Sequence, residues 1–100
     1  MNVSFDFSGR HVVVFGGTTG INLGIAQAYA RQGAKVTVAS RKVANVDAAV
    51  ATLGPQGFGV VADVRDEASV AAALAAAEAR HGPIDVLVSG AAGNFLAEVN

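Results

Sequence analysis

Short apolar runs alternate with segments of helical periodicity along the whole chain. The apolar runs predict four strands, at residues 11–15, 35–39, 58–62 and 85–88. Apolar residues at helical spacing predict three intervening helices. The expected buried faces are Ile21, Ile25, Ala28 and Tyr29 in the first helix, Val46, Val50 and Leu53 in the second, and Val70, Leu74 and Ala77 in the third. The third helix should span about 66–80, with Asp66 as its N-cap. Glycine follows each helix, at positions 33, 54 and 82.

This alternation predicts an α/β fold with parallel strands and right-handed crossovers. Strands such as Val12-Val13-Val14 are apolar on both faces, which is typical of a doubly wound sheet covered by helices on each side. The expected strand order is 3-2-1-4, which places the fourth strand at an edge. An unpaired apolar edge strand is an aggregation hazard. We therefore expect residues 1–100 to form the N-terminal half of a single domain whose remainder lies outside this chain.

Composition narrows the class of protein. The 100 residues are 52% hydrophobic with a net charge of −1, which is typical of one well-cored domain and gives no reason to expect nucleic acid. Cysteine is absent, which excludes disulfides and thiolate catalysis, and no metal-ligand spacing is found. No apolar run approaches a membrane span and no secretory signal is visible, so we expect a cytoplasmic protein. His11 and His81 are expected at the surface.

A glycine turn joins the first strand to the first helix. Gly16 and Gly20 stand four residues apart and enclose Thr18 and Thr19. Glycine lets a backbone approach a ligand closely, and the N–H groups of a helix start favour an anion. The segment, with the first helical residues Ile21 and Asn22, therefore predicts a dinucleotide pyrophosphate site. An ordinary strand-to-helix turn is the alternative.

The end of the second strand indicates which dinucleotide is bound. NAD-selective folds place an acidic residue here, about 20 residues past the glycines, to bind the ribose hydroxyls. Ser40 occupies that place, and the cations Arg41 and Lys42 follow. Cations are disfavoured at a helix N-terminus, so a bound 2′-phosphate is a reason for them. The sequence predicts NADP, against the alternative of two solvated charges.

Two further turns lie at the same edge of the sheet. Asp63 and Val64 follow the third strand, where the carboxylate can accept a hydrogen bond from an adenine amino group or cap the next turn. After the fourth strand come small residues that allow a close approach to a sugar or nicotinamide, namely Gly90, Ala91, Ala92 and Gly93. The fourth strand is expected beside the first, at the topological switch point where ligands bind.

These features, in this order, resemble the short-chain dehydrogenase/reductase family, whose T-G-x-x-x-G-I-G, Asp-Val and N-N-A-G motifs they match in part. The resemblance implies a Rossmann-type fold and hydride transfer between a nicotinamide cofactor and a carbonyl or alcohol, and it implies that Asp63 and Val64 contact adenine. The segment Ala-Ala-Gly-Asn-Phe resembles the 2,4-dienoyl-CoA reductase branch, which reduces enoyl thioesters with NADPH and would place Phe95 near a substrate. A homo-oligomer acting on a small-molecule substrate is implied for the full-length protein.

Departures from the family motifs mark the open points. Phe15 and Ser89 replace motif polar residues, so coupling between the first and fourth strands is expected to be apolar. Asn22 replaces the third glycine and could cap the helix, touch phosphate or crowd the cofactor. Tyr29 is the single tyrosine and lacks a lysine four residues later, so we assign it to the core.

No catalytic residue is therefore assigned, because the family's Ser, Tyr and Lys would lie downstream. A non-catalytic NADP-binding fragment or sensor module is the main alternative function. A flavodoxin-like or receiver domain is a second alternative, although the receiver's clustered acids are missing at Phe15-Gly16-Gly17.

Overall fold

The computed structural model describes residues 7–89 and the backbone of a final strand. Its elements are β1 (His11–Phe15), α1 (Gly20–Arg31), β2 (Lys35–Ser40), α2 (Val43–Ala51), β3 (Gly57–Val61), α3 (Glu67–His81), β4 (Val86–Ser89) and β5 (Phe95–Glu98). The first seven elements agree with the predicted strands and helices to within a few residues at each end. No helix within these described residues is long and apolar enough to cross a membrane.

The sheet has the order β3-β2-β1-β4-β5. β1 pairs in parallel with both β2 and β4, and β3 pairs in parallel with β2, as predicted. The prediction that β4 lies at the sheet edge is wrong, because β5 pairs antiparallel with it, from Val86 opposite Glu98 to Ser89 opposite Phe95. A short connection suffices for an antiparallel neighbour, and the pairing satisfies the free edge of an apolar strand.

Both faces of the sheet are buried, which confirms the doubly wound architecture. On one face, Val12 and Val14 pack with β2 residues, with α1 and with α2. On the other face, Val13 and Phe15 pack with α3, through its Ala73 and Ala77. The alternation along β1 follows from the two-residue period of a strand, and it explains why the strand is apolar throughout.

The predicted buried face of α1 is confirmed in part, because Ile25 and Tyr29 are partly buried and pack against the core. Ala26 and Ala30 are the buried residues of this helix, whereas Ile21 is 75% exposed and Ala28 is exposed. Alanine lets a helix axis approach a sheet closely, so Ala26 and Ala30 are the most buried residues of the contact, and larger side chains of α1 pack against the same core beside them. Tyr29 is partly buried beside that contact, as expected of a core residue, and its ring meets Phe7 edge to face at 5.1 Å.

The expectation that His11 and His81 lie at the surface is also wrong. His11 is fully buried in β1, where its backbone N–H donates to Asp85 Oδ2 at 2.9 Å. His81 is half-buried, and its Nε2 atom is buried without a partner. A strand-end histidine is easily placed at the surface from sequence, because its buried partners come from distant segments.

Candidate functional site

The glycine turn adopts backbone conformations that favour glycine. Gly16 has φ of 74° and Gly20 has φ of 60°, both in the left-handed region. Between them, a Cβ atom at Gly17 would lie 2.8 Å from Val14 Cγ1, so the turn folds tightly against its own strand. A Cβ at Gly20 would meet nothing within 4 Å. The turn is therefore closed on the protein side and open on the outer side, where a ligand could approach.

The start of α1 presents free backbone donors to that open side. Thr19 is the N-cap, with extended backbone and no capping hydrogen bond from its side chain. The first N–H groups of a helix have no intrahelical partner, and the helix dipole makes this end positive. Thr18, by contrast, is 8% exposed, so its side chain is mostly buried within the turn. This arrangement suits an anion such as a pyrophosphate.

Asn22 lies under the turn, in the first turn of the helix. The N-cap is Thr19, so the capping role considered for Asn22 is wrong. Its Oδ1 atom is buried without a hydrogen-bond partner. Its Nδ2 atom would lie 3.6 Å from a Cβ built at Gly16. The side chain thus occupies the space that the family's third glycine leaves open, and it carries an unsatisfied acceptor.

Beside the turn, a cavity of about 440 Å³ opens between the ends of β2 and β3. Its volume lies within the range of small-molecule pockets. Predicted site residues from three separate segments meet there. The lining comprises Gly16, Ala39, Ser40, Arg41, Ala62, Asp63, Val64 and Arg65. Lys42 does not line the described cavity and instead forms the exposed N-cap of α2.

Two backbone hydrogen bonds hold the segments around this cavity in register. Gly16 N donates to Ala39 O at 2.7 Å, which ties the glycine turn to the end of β2. Ala62 N donates to Ser40 O at 2.9 Å, which ties the end of β3 to the same strand. The parallel register of three neighbouring strands therefore places the glycine turn, the basic segment and the Asp63 segment at one edge of the sheet.

Arg65 is the cavity residue that the sequence interpretation missed. Its backbone N and its Nε both donate to Asp63 Oδ1, at 3.0 and 3.1 Å, and its Nη2 donates to Asp63 Oδ2 at 3.1 Å. These hydrogen bonds lower the pKa of Asp63 to about 2, and the charge of Arg41 adds a smaller contribution in the same direction. An arginine two residues after a strand-end aspartate was the signal available in the sequence.

The electrostatic character of the cavity follows from these contacts. Asp63 is the one acidic side chain among the residues that line it, and that carboxylate is already paired with Arg65. Arg41 is exposed at the same wall. The cavity therefore offers one hydrogen-bond acceptor of fixed orientation, the Asp63 carboxylate, together with the exposed cation of Arg41.

The remaining predicted site residues cannot be placed in the same way. Gly90, Ala91, Ala92 and Gly93 lie outside the described residues, and Phe95 is described in its backbone alone, as the first residue of β5. Phe15 pairs with Ser89 in the ladder between β1 and β4, and its side chain is buried on the α3 face. The contact between these strands at the site edge therefore has an apolar member, as predicted.

Comparison with known proteins identifies the family. The protein-family model for the family "short chain dehydrogenase" matches residues 10–100 of this chain. The chain belongs to the short-chain dehydrogenase family. Galactitol 2-dehydrogenase of Agrobacterium fabrum (strain C58) is 39% identical over 88 residues, which are 88% of this chain and 34% of that protein. A peroxisomal 2,4-dienoyl-CoA reductase of Arabidopsis thaliana is 34% identical over 92 residues, covering 89% of this chain and 31% of that protein.

Solved structures of this family share the fold. The 3-ketoacyl-(acyl-carrier-protein) reductase of Brucella melitensis, complexed with NADH, gives a TM-score of 0.79 at 32% identity over 82% of this chain and 34% of its own. A variant of actinorhodin polyketide ketoreductase with NADPH also gives 0.79 at 32% identity, over 88% of this chain and 34% of its own. The present chain spans about a third of the length of these relatives.

Proposed function

We propose that this chain is the N-terminal, cofactor-binding part of an NADP-dependent oxidoreductase of the short-chain dehydrogenase family. The observation that supports NADP is the cavity at the ends of β2 and β3. It offers Arg41 at the wall, Ser40 where NAD-selective folds place an acid, and no free carboxylate among its described lining residues. An arginine fork is well suited to a phosphate group. Solved relatives include both NADH and NADPH complexes, so the choice depends on this chain's own residues.

In this proposal each segment binds one part of the cofactor. The glycine turn and the start of α1 bind the pyrophosphate. Ser40, Arg41 and Lys42 bind the 2′-phosphate, and Asp63 and Val64 contact the adenine. The cofactor sites in full are Gly16, Thr18, Thr19, Gly20, Ile21, Asn22, Ser40, Arg41, Lys42, Asp63, Val64, Gly90, Ala91, Ala92 and Gly93.

Hydride transfer is the chemistry that the bound nicotinamide supplies. We propose a carbonyl or alcohol, or an enoyl thioester, as the reacting group, with Phe95 near the substrate. Named relatives include both a sugar-alcohol dehydrogenase and a dienoyl-CoA reductase, so the substrate class stays at this level. The catalytic Ser, Tyr and Lys are assigned to the region after residue 100, and the full-length protein is proposed to form a homo-oligomer.

Binding of NADPH and NADH to an Arg41→Ala variant of the intact protein tests the cofactor assignment. Loss of a charge-assisted contact should weaken NADPH binding by roughly 10- to 100-fold. NADH lacks the 2′-phosphate, so its affinity should change by less than about twofold. The control is Arg31→Ala, which removes the same charge in the last turn of α1. Equal weakening of both cofactors by Arg41→Ala would overturn the 2′-phosphate assignment.

Oxidation of NADPH in the presence of carbonyl and enoyl-thioester substrates tests the catalytic part of the proposal. The intact protein should oxidise NADPH in a substrate-dependent way. Tight, Arg41-dependent NADPH binding without turnover on a broad substrate panel would instead support the non-catalytic binding module.

A further inference from the structure

We infer that Arg65 is a positioning residue that fixes the Asp63 carboxylate and thereby makes the site selective for an adenine base. This inference rests on the proposed cofactor function. It assigns the selectivity to Arg65, a residue that reaches the ligand only through Asp63. The expected selectivity is against bases that present an oxygen acceptor in place of the exocyclic amino group.

The geometry of the contact restrains the carboxylate in both of its side-chain torsions. Oδ1 accepts from the backbone N and the Nε of Arg65, and Oδ2 accepts from Nη2. A planar guanidinium that meets both oxygens defines the plane of the carboxylate as well as its position. The backbone is held too, because Asp63 N donates to Ser69 Oγ at 2.9 Å and Asp66 N donates to Asp63 O at 3.1 Å.

This bonding leaves a limited acceptor capacity. An ionised carboxylate oxygen has two lone-pair positions. Oδ1 already accepts two hydrogen bonds and Oδ2 accepts one, so one position remains at Oδ2. Asp63 retains 34% exposure of its side chain at the cavity wall. The site can therefore take one more donor, such as an amino group, whereas a carbonyl oxygen there would be repelled.

A structural role accounts for the backbone part of the contact, because Asp63 Oδ1 accepts from the backbone N of Arg65 and so caps the turn after β3, but it does not account for the two guanidinium hydrogen bonds. The Arg65 side chain is 72% exposed, and exposed ion pairs contribute little to folding stability. The ion pair also joins residues that are only two positions apart in sequence, so it does not tie distant segments of the fold together. It has a second consequence for the site: since Asp63 pairs with Arg65, it does not pair with Arg41 in the described structure. Arg41 thus stays available for an anion.

The test compares NADPH with its hypoxanthine analogue, in which oxygen replaces the 6-amino group of adenine. Dissociation constants of the two are measured for the intact wild-type protein and for Arg65→Ala, Arg65→Lys and the control Arg31→Ala. The wild-type protein should bind NADPH about 10-fold or more tightly than the analogue, as expected for a hydrogen bond to a charged group. Arg65→Ala should reduce that preference to within about threefold, mainly by weakening NADPH binding.

Further variants separate positioning from simple charge. Lysine keeps the charge but cannot form the planar two-oxygen contact, so Arg65→Lys should give an intermediate preference. Arg31→Ala should leave the preference unchanged. In an Asp63→Asn background, Arg65→Ala should have no further effect on the preference, because the residue acts through that carboxylate.

The outcomes distinguish this inference from the function on which it rests. If Arg65→Ala weakens NADPH and the analogue equally, Arg65 contacts another part of the cofactor or only shapes the loop, and the inference is overturned. If the wild-type protein binds neither NADPH nor its hypoxanthine analogue, the proposed function itself fails.

Discussion

The Nε2 atom of His11 lies 2.8 Å from the hydroxyl oxygen of Thr37, between the neighbouring strands β1 and β2. The Nδ1 atom of the same ring lies 3.0 Å from the carbonyl oxygen of Gly82. A carbonyl only accepts, so Nδ1 donates its hydrogen there. In the neutral ring Nε2 is then the acceptor, and the Thr37 hydroxyl donates to it. The buried pair is thus satisfied by a neutral imidazole of one tautomer.

We expect the free energy of unfolding to fall as the pH is lowered through the histidine range. Burial, as the largest cause, lowers the pKa of both His11 and His81 below the ordinary value of 6.5. For His11, Asp85 and the Gly82 carbonyl oppose that lowering. The histidines of the unfolded chain take up protons near pH 6.5, whereas those of the folded chain do not. The contribution of the neutral histidines to folding stability is therefore fully present above pH 6.5, and it is lost as the pH falls from 6.5 toward the lower pKa values of the folded protein.

Urea unfolding at pH 7.5, 6.5 and 5.5 measures this dependence. His11 and His81 are the two histidines of the chain, so no other histidine contributes to the pH dependence between pH 5.5 and 7.5. His81→Gln should reduce the pH dependence of the free energy of unfolding, while the hydrogen bond between His11 and Thr37 stays intact. A free energy of unfolding that is the same at pH 7.5 and 5.5 would contradict the prediction.

The histidines also show what the sequence could and could not predict. Strand order and the meeting of three site segments follow from apolar periodicity and the rules of parallel sheets, so they were predictable. The burial of His11 depends on Asp85 and Gly82, which are more than 70 residues away in sequence. No local pattern signals such a partner.

Three other differences between prediction and structure have similar physical causes. Ala26 and Ala30 were missed as the most buried residues of α1, because large apolar residues mark a buried face more strongly in the sequence although close packing on a sheet favours small ones. β5 was missed because its short segment, Phe95–Glu98, gives little periodicity of its own and is defined by pairing with β4. Arg65 was missed because its role depends on a side-chain contact with Asp63.

Removal of the N-cap of α3 should destabilise the fold moderately. Asp66 Oδ1 accepts from the backbone N of Ala68 at 3.0 Å and of Ser69 at 3.4 Å. Asp66→Ala should lower the free energy of unfolding by about 1 kcal/mol, as measured in urea. Asp66→Asn retains a capping acceptor and should cost much less. Asp47→Ala, at an exposed position within α2, is the matched control and should have little effect. Equal losses for Asp66→Ala and Asp47→Ala would argue against the cap.

Two glycine-to-alanine substitutions should have opposite effects on stability. A Cβ at Gly59 in β3 would overlap Val46 and lie 2.7 Å from Val50 Cγ2, where α2 crosses the sheet. Gly59→Ala should therefore lower the free energy of unfolding by about 1–3 kcal/mol. A Cβ at Gly24 in α1 would meet nothing within 4 Å, so Gly24→Ala should raise it by about 0.5–1 kcal/mol through helix propensity. Thermal unfolding of both variants measures the difference. A gain of stability in Gly59→Ala would show that the helix–sheet contact is looser than described, and a loss in Gly24→Ala would contradict the helix-propensity argument.

Replacement of Asn22 by alanine should stabilise the fold. Its Oδ1 atom is buried without a partner in the first turn of α1, and a buried unsatisfied acceptor is unfavourable. Alanine removes that acceptor and has a higher helix propensity, so Asn22→Ala should raise the free energy of unfolding by about 1 kcal/mol. Asn22→Gly also removes the acceptor, but glycine is a poor helix former, so its stability should stay close to that of the wild type. Urea unfolding in the absence of cofactor measures both variants. A clear loss of stability in Asn22→Ala would mean that the amide makes a favourable contact in the folded protein, and that the space under the glycine turn is filled for stability.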